Sequence, residues 1–229
     1  MKNYLIIGAS SGIGKALSQR LIADGHQVIG TYNETELEDS DNLQAHKLDI
    51  ISDDNFDFIP DTLDGVVYCP GSINLKPFAR LKPQAFVDDF NLQVVGAIKI
   101  IQACISKLKK CDSASIVLFS TVAVQSGFNF HSQVSVSKGA IEGLTKALAA
   151  EFAPTVRVNA IAPSLTNTPL AEKLLNSEQK IEANNERHPL KRIGTPEDIA
   201  AMARFLLSDE STWISGQIMH VDGGMSTIN

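Results

Sequence analysis

The chain has 229 residues, is 44% hydrophobic and 20% charged, and carries a formal net charge of −6. A chain of this length can bury a full core, and 15 glycines with 9 prolines are too few for a collagen-like or linker-dominated polymer. The acidic balance argues against nucleic acid or an anionic membrane as partner, and no apolar run approaches the length of a membrane span. Cys69, Cys104 and Cys111 lack zinc spacing and read as reduced thiols. The Leu5–Ile7 run is too short for a signal-peptide core, so a soluble cytoplasmic protein is expected.

Tyr4–Ile7 is a short apolar run ending in glycines and reads as a buried strand. Ala16–Ala23 has helical spacing and stops near Gly25. Gln27–Thr31 is a second strand. Residues 33–42, with Glu34, Glu36, Glu38, Asp39 and Asp41, read as a solvated loop. Ala45–Leu48 is a weak third strand and Gly65–Tyr68 a fourth. A helical stretch from about Pro83 to Lys109 allows one break. Ser115–Ser120 is a β-branched strand, Val134–Phe152 a long amphipathic helix, and Val156–Ala160 a further strand. Leu170–Asn184 reads as one helical segment. Thr195-Pro196-Glu197-Asp198 has the signature of a helix start, with a capping threonine, proline at the first position and acids at the positive end. Ile218–Val221 closes the order. Strands alternating with helices predict an α/β fold, a single Rossmann-type doubly wound parallel sheet with helices on both faces. Its ligand site should lie at the carboxyl ends of the strands.

Gly8-Ala9-Ser10-Ser11-Gly12-Ile13-Gly14 lies between the first strand and the first helix. Glycines there permit a tight turn and close backbone approach, and the helix start offers free N–H groups to a pyrophosphate. The spacing is Gly-x-x-x-Gly-x-Gly. Together with Val158–Pro163, Gly194–Ala200, Phe205–Ser208, Ile214–Gln217 and Val221–Gly224, it resembles the short-chain dehydrogenase/reductase family over nearly the whole chain.

The resemblance implies hydride transfer with a nicotinamide dinucleotide. It puts the pyrophosphate on Gly8, Ser10, Ser11, Gly12, Ile13 and Gly14. It puts Tyr32, followed by Asn33, where NAD-specific relatives carry a carboxylate for the ribose. With no acid at that position NADP is preferred and NAD remains possible. Asp49 and Ile50 occupy the adenine-reading position, and Cys69-Pro70-Gly71 the conserved nucleotide turn. Pro163 and Thr168 stand near the nicotinamide, at the start of a substrate lid spanning residues 163–190 within one domain, 1–229.

The family's catalytic set is a tyrosine four residues before a lysine, with a serine and an asparagine. Here Lys138 keeps its place, but Val134 stands at the tyrosine position, Thr121 beside Ser120 at the serine, and Gln93 at the asparagine. Pro163 is followed by Ser164 rather than glycine. Two readings follow. In one, another group moves the proton. His131, seven residues before Lys138, matches the spacing of the related enoyl-thioester reductases, and a histidine is a side chain that can give or take a proton; Ser132 and Ser135 are weaker candidates. In the other, the protein binds the cofactor for sensing or assembly and reduces nothing. Losing one general acid costs only about 10²–10⁴-fold, which keeps the enzyme reading ahead.

The lid, with Phe78, Phe128 and Phe130, predicts an apolar pocket for a small carbonyl or enoyl substrate, with no basic cluster. No histidine stands in a metal-binding spacing. The stretch between Asp49 and Gly65 is too short for the family's usual helix. The family's oligomer surfaces imply a homodimer or homotetramer.

Overall fold

The structure, a computed structural model, describes residues 1–228. Seven strands form one parallel sheet: β1 (Asn3–Ile7), β2 (Gln27–Tyr32), β3 (Leu43–Lys47), β4 (Gly65–Tyr68), β5 (Ala114–Phe119), β6 (Val156–Pro163) and β7 (Ile218–Val221). Their order is β3-β2-β1-β4-β5-β6-β7, so connection direction reverses between β1 and β4 and opens a crevice at their carboxyl ends.

The strands alternate their side chains between two cores, as the pleat requires. Tyr4 and Ile6 of β1 pack with Val67 and Val117 against α1 (Gly12–Ala23) and α7 (Pro196–Leu207). Leu5 and Ile7 point the other way and join Val66, Ile116 and Leu118 against α3 (Gly96–Leu108) and α5 (Ser132–Phe152). Helices on both faces explain why the central strands are continuous apolar runs.

The expected helix from Pro83 to Lys109 is interrupted. α2 (Pro83–Phe90) passes through a π turn (Asn91–Val95) into α3. The extra residue of a π turn rotates the helix surface, and such turns recur at functional sites; here it turns Gln93 inward. Gly96 follows because any Cβ there would collide with the Tyr68 hydroxyl, which donates to the Leu92 carbonyl at 2.5 Å.

Between β3 and β4 there is no helix. Turns carry buried Ile59 and Leu63 into the core in its place. β3 begins two residues earlier than predicted, because Leu43 pairs with Val28 and closes a bridge to Ser40. The single lid helix expected over Leu170–Asn184 is two pieces. A 3-10 segment, Pro169–Leu174, precedes α6 (Glu178–Arg187), which Ser177 caps by accepting from the Lys180 N–H. A short α4 (Ala123–Ser126) follows β5.

The start of α7 is a full capping box. Thr195 accepts from the Asp198 N–H, Asp198 accepts from the Thr195 N–H, and Arg192 binds the same carboxylate through two nitrogens. Its other end is held by Arg157, a buried arginine on β6. Arg157 donates to the Leu206 carbonyl at 2.8 Å, the Ser208 carbonyl at 3.2 Å and the Ser211 hydroxyl at 2.9 Å. The two carbonyls are of the kind that a helix end leaves without an intrahelical partner, next to its negative pole. Arg157→Met should therefore lower stability by about 2–4 kcal/mol, measured by urea unfolding. A loss below about 0.5 kcal/mol would mean that water replaces the guanidinium at no cost.

Candidate active site

A cleft of about 800 Å³ opens along the carboxyl ends of β1, β4, β5 and β6. Its first wall is the turn after β1. Gly8 and Gly12 have φ of 82° and 52°, which only glycine adopts without strain. Gly14 lies so near the Gly8 carbonyl that a Cβ could not be accommodated. Ser11, at the cap of α1, uses its side chain for no capping bond, which leaves the N–H groups of the first helical turn directed at the cleft. Gly8, Ser10, Ser11, Gly12, Ile13 and Gly14 all line it. This backbone cradle fits a diphosphate.

Lys138, from the middle of α5, lines the opposite end with Cys69, Pro70 and Gly71. Burial drives its pKa down to about 8, with Asp89 and Cys69 pulling back toward the charged form. The Cys69 thiol is pushed up to about 12 by burial and stays protonated. Gln93 is 1% exposed, and its Nε2 donates to both oxygens of Asp89 at 2.8 Å. Its Oε1 receives no hydrogen bond and faces Gly71, beside the Lys138 ammonium. A buried acceptor without a donor is costly, and a ligand hydroxyl or a water in the cleft would satisfy it. Asp89, which sequence reasoning missed, anchors this floor by accepting also from Ser72 and from Ser137 at 2.6 Å.

The two hydroxyls after β5 divide. Both line the cleft, but Ser120 is buried and commits its proton to Glu142 at 2.5 Å, whereas the Thr121 proton is uncommitted. Val134 faces the cleft as an apolar wall. His131, just before α5, also lines it; its Nδ1 lies 2.8 Å from the Asn129 carbonyl and its ring 5.5 Å from Phe128. Ser132 and Ser135 do not line the cleft, and Ser135 is bonded to the Ala123 carbonyl.

Pro163 and Thr168 reach the cleft, and Thr168 packs against Gly12, so the lid touches the phosphate turn. Of the three phenylalanines expected in the pocket only Phe128 lines it; Phe78 and Phe130 are exposed on the surface.

Not every position predicted to meet the nucleotide lines this cleft. Tyr32 ends β2 without reaching the cleft, while Asn33 and Glu34 beyond it do. Glu34 is an exposed loop acid, as expected, and also borders the cleft just beyond the end of β2. Asp49 turns its carboxylate back to the Ile51 N–H at 3.0 Å, which holds its pKa low, and Ile50 is buried in the core against Gly96. Neither lines the cleft. The absence of a basic cluster is also overturned. α6 presents Lys180, Asn184 and Arg187 on one face toward the cleft, with Arg187 over the Phe128 ring at 5.9 Å. The helical spacing was legible, but the lid's folding back was not. Ser164 and His188 also line the cleft, with Ser164 Oγ 2.8 Å from His188 Nε2. Among the described residues no cluster of metal-ligating side chains occurs and no helix is long and apolar enough to cross a membrane.

Residues 8–226 match the family model described as Enoyl-(Acyl carrier protein) reductase. The chain belongs to the short-chain dehydrogenase/reductase family. It is 32% identical to the 3-oxoacyl-[acyl-carrier-protein] reductase of Thermotoga maritima, over 98% of this chain and 97% of that protein. It is 29% identical to bovine L-xylulose reductase, over 97% and 96%. A short-chain dehydrogenase family protein from Francisella tularensis superposes with a TM-score of 0.87 at 27% identity, covering 99% of both chains. The aldohexose dehydrogenase of Thermoplasma acidophilum gives 0.86 at 27% identity, covering 100% and 95%. The family is one of NAD(P)-dependent oxidoreductases, in agreement with the diphosphate cradle.

An ammonium donates to a hydroxyl better than a neutral amine does, so the affinity of a nucleotide held at Lys138 should fall as pH rises through about 8. Fluorescence titration of NADH and NADPH between pH 6 and pH 10 checks this. Lys138→Met should weaken binding roughly 10–100-fold and flatten the dependence.

Proposed function

We propose that the protein transfers a hydride between NAD(P) and the carbonyl carbon of a small molecule with an apolar body. An enoyl double bond is the alternative acceptor. The observation that carries this reading is one cleft with a diphosphate cradle at one end and, at the other, an ammonium beside an unpaired buried acceptor. When bound, the nicotinamide supplies the hydride. Lys138 holds the far ribose, Gln93 Oε1 takes a hydrogen bond from ribose or water, and the Thr121 hydroxyl polarises the substrate oxygen. Phe128, Val134, Leu170 and Leu174 supply apolar walls, and Arg187 and Lys180 a cationic rim.

The printed names of the relatives make a 3-oxoacyl thioester the first probe and an enoyl thioester the second. Oxidation of NADH or NADPH by either supports the reading. Tight cofactor binding without turnover on any carbonyl or enoyl probe would favour a cofactor-binding protein that reduces nothing.

Glu34 bears on the nucleotide. It is the one charged side chain that the end of β2 brings to the cleft. A carboxylate there accepts from a ribose 2′-hydroxyl and repels a 2′-phosphate, so NADH should bind at least as tightly as NADPH. Glu34→Gln should move the affinity ratio roughly fivefold toward NADPH, as expected for one exposed charge.

His131 sits at the rim, tied to its own turn and tilted against the Phe128 ring, where it is suited to touch substrate. His131→Ala should raise KM several-fold and leave kcat within about threefold. A kcat loss of about 10²–10⁴ would assign proton transfer to His131 instead.

An assembly of closed symmetry is part of the proposal. Val87 and Phe90 of α2 and Val136 of the adjoining α5 are exposed, as is Trp213; apolar surface of this kind supports a homodimer or homotetramer.

A further inference from the structure

Val134 has no proton to exchange, so the oxygen of a reduced carbonyl must take its proton elsewhere. Beside Thr121 the fold provides a second hydroxyl. β6 runs parallel to β5 with Phe119 opposite Ile161, and the Val122 N–H donates to the Pro163 carbonyl at 3.2 Å. That register sets Ser164 alongside Val122, one residue from Thr121, and both Ser164 and Thr121 line the cleft.

Ser164 Oγ has one side-chain partner, His188 Nε2 at 2.8 Å. His188 is 2% exposed, and its Nδ1 lies 2.7 Å from the Asn184 carbonyl, the last turn of α6. A carbonyl only accepts, so Nδ1 carries the hydrogen and neutral Nε2 is an acceptor aimed at the serine. Protonated, Nε2 donates to Ser164, whose own hydrogen is then free to point into the cleft. The pair also lines a second cavity of about 130 Å³, large enough for water. His188 therefore borders both the reaction cleft and a place where a proton can be replaced. Charged groups around it are Arg187 on α6, Lys138 across the cleft, Lys191 and the paired Arg192 and Asp198 in the next turn and α7, and Asp222 after β7.

We propose that Ser164, backed by His188, delivers the substrate-side proton in this chain. The inference rests on the hydride-transfer reading above. In the step, the carbonyl carbon gains a hydride and the C=O π bond becomes a C–O single bond. The oxygen takes the Ser164 hydroxyl proton, and Ser164 takes the Nε2 proton of the imidazolium. The imidazole returns to the Nδ1–H form until water reprotonates it. The substrate gains two electrons and two hydrogens, and the nicotinamide loses the hydride. Ser164 is the catalytic residue here and His188 a positioning and relay residue.

A purely structural role would make the same contact a strap holding the lid to β6, and the two are separable. Wild type, Ser164→Ala and His188→Gln are compared by cofactor titration, thermal melting and single-turnover oxidation of NADH with acetoacetyl-CoA from pH 5 to pH 9. Both variants should bind the cofactor within about threefold of wild type, which shows that they are folded. Both should lose about 10²–10⁴-fold in the hydride step. The pH dependence of the hydride step should differ between wild type and His188→Gln, because an amide keeps the hydrogen bond but cannot relay a proton. A rate loss with the wild-type pH dependence retained, or rates within threefold of wild type, would overturn the proposal and leave the oxidoreductase reading intact. Wild type that binds cofactor and turns over no probe would overturn both.

Discussion

The contact between Gly14 and the Gly8 carbonyl sets the geometry on which the cleft depends. It lets α1 start almost on top of β1, so the first-turn N–H groups stand at the reversal point of the sheet. A side chain at Gly14 would push the helix away and open the cradle, and one at Gly8 would strain a backbone at φ 82°. The surrounding layers keep it rigid. Leu17 and Leu21 bury α1 against Tyr4, Ile6 and Val28, while Arg157 and the capping box hold α7 beside it. A site for a flexible dinucleotide is thus built mostly from backbone that cannot move.

The other end of the cleft is built from side chains. Val134 offers it an apolar wall without a proton to exchange, and Lys138 an ammonium. The floor beneath is unusually polar. Asp89 collects hydrogen bonds from Ser72, Gln93 and Ser137 and lies close enough to Lys138 to favour its charge. A buried carboxylate needs such donors to remain ionised. Its effect on function is orientation: with the Gln93 amide nitrogen committed to Asp89, the oxygen has one direction left, toward the cleft.

The alternation of strand and helix in the sequence was enough to predict the parallel sheet, and most elements lie within two or three residues of their expected limits. Failures occurred where local pattern is silent. A π turn in the Pro83–Lys109 stretch costs one hydrogen-bond register and leaves little mark in hydropathy. The lid broke at Ser177 because a serine side chain can cap a helix. Phe78 and Phe130 looked like pocket residues by type and are exposed.

The glycine turn, Lys138, Val134 and Thr121, which all line the cleft, were legible in the chain itself, because each is a residue type at a fixed offset from a strand or helix. Ser164 was visible only as a departure, and His188, Asp89 and Glu34 not at all as members of the site. Their roles depend on distances across the fold: 24 residues separate Ser164 from His188, and 48 separate Asp89 from Ser137. Spacing along a strand or helix reports which residues share a face. Which faces meet is decided by how helices and lid pack on the sheet, and that depends on the three-dimensional complementarity of the whole core.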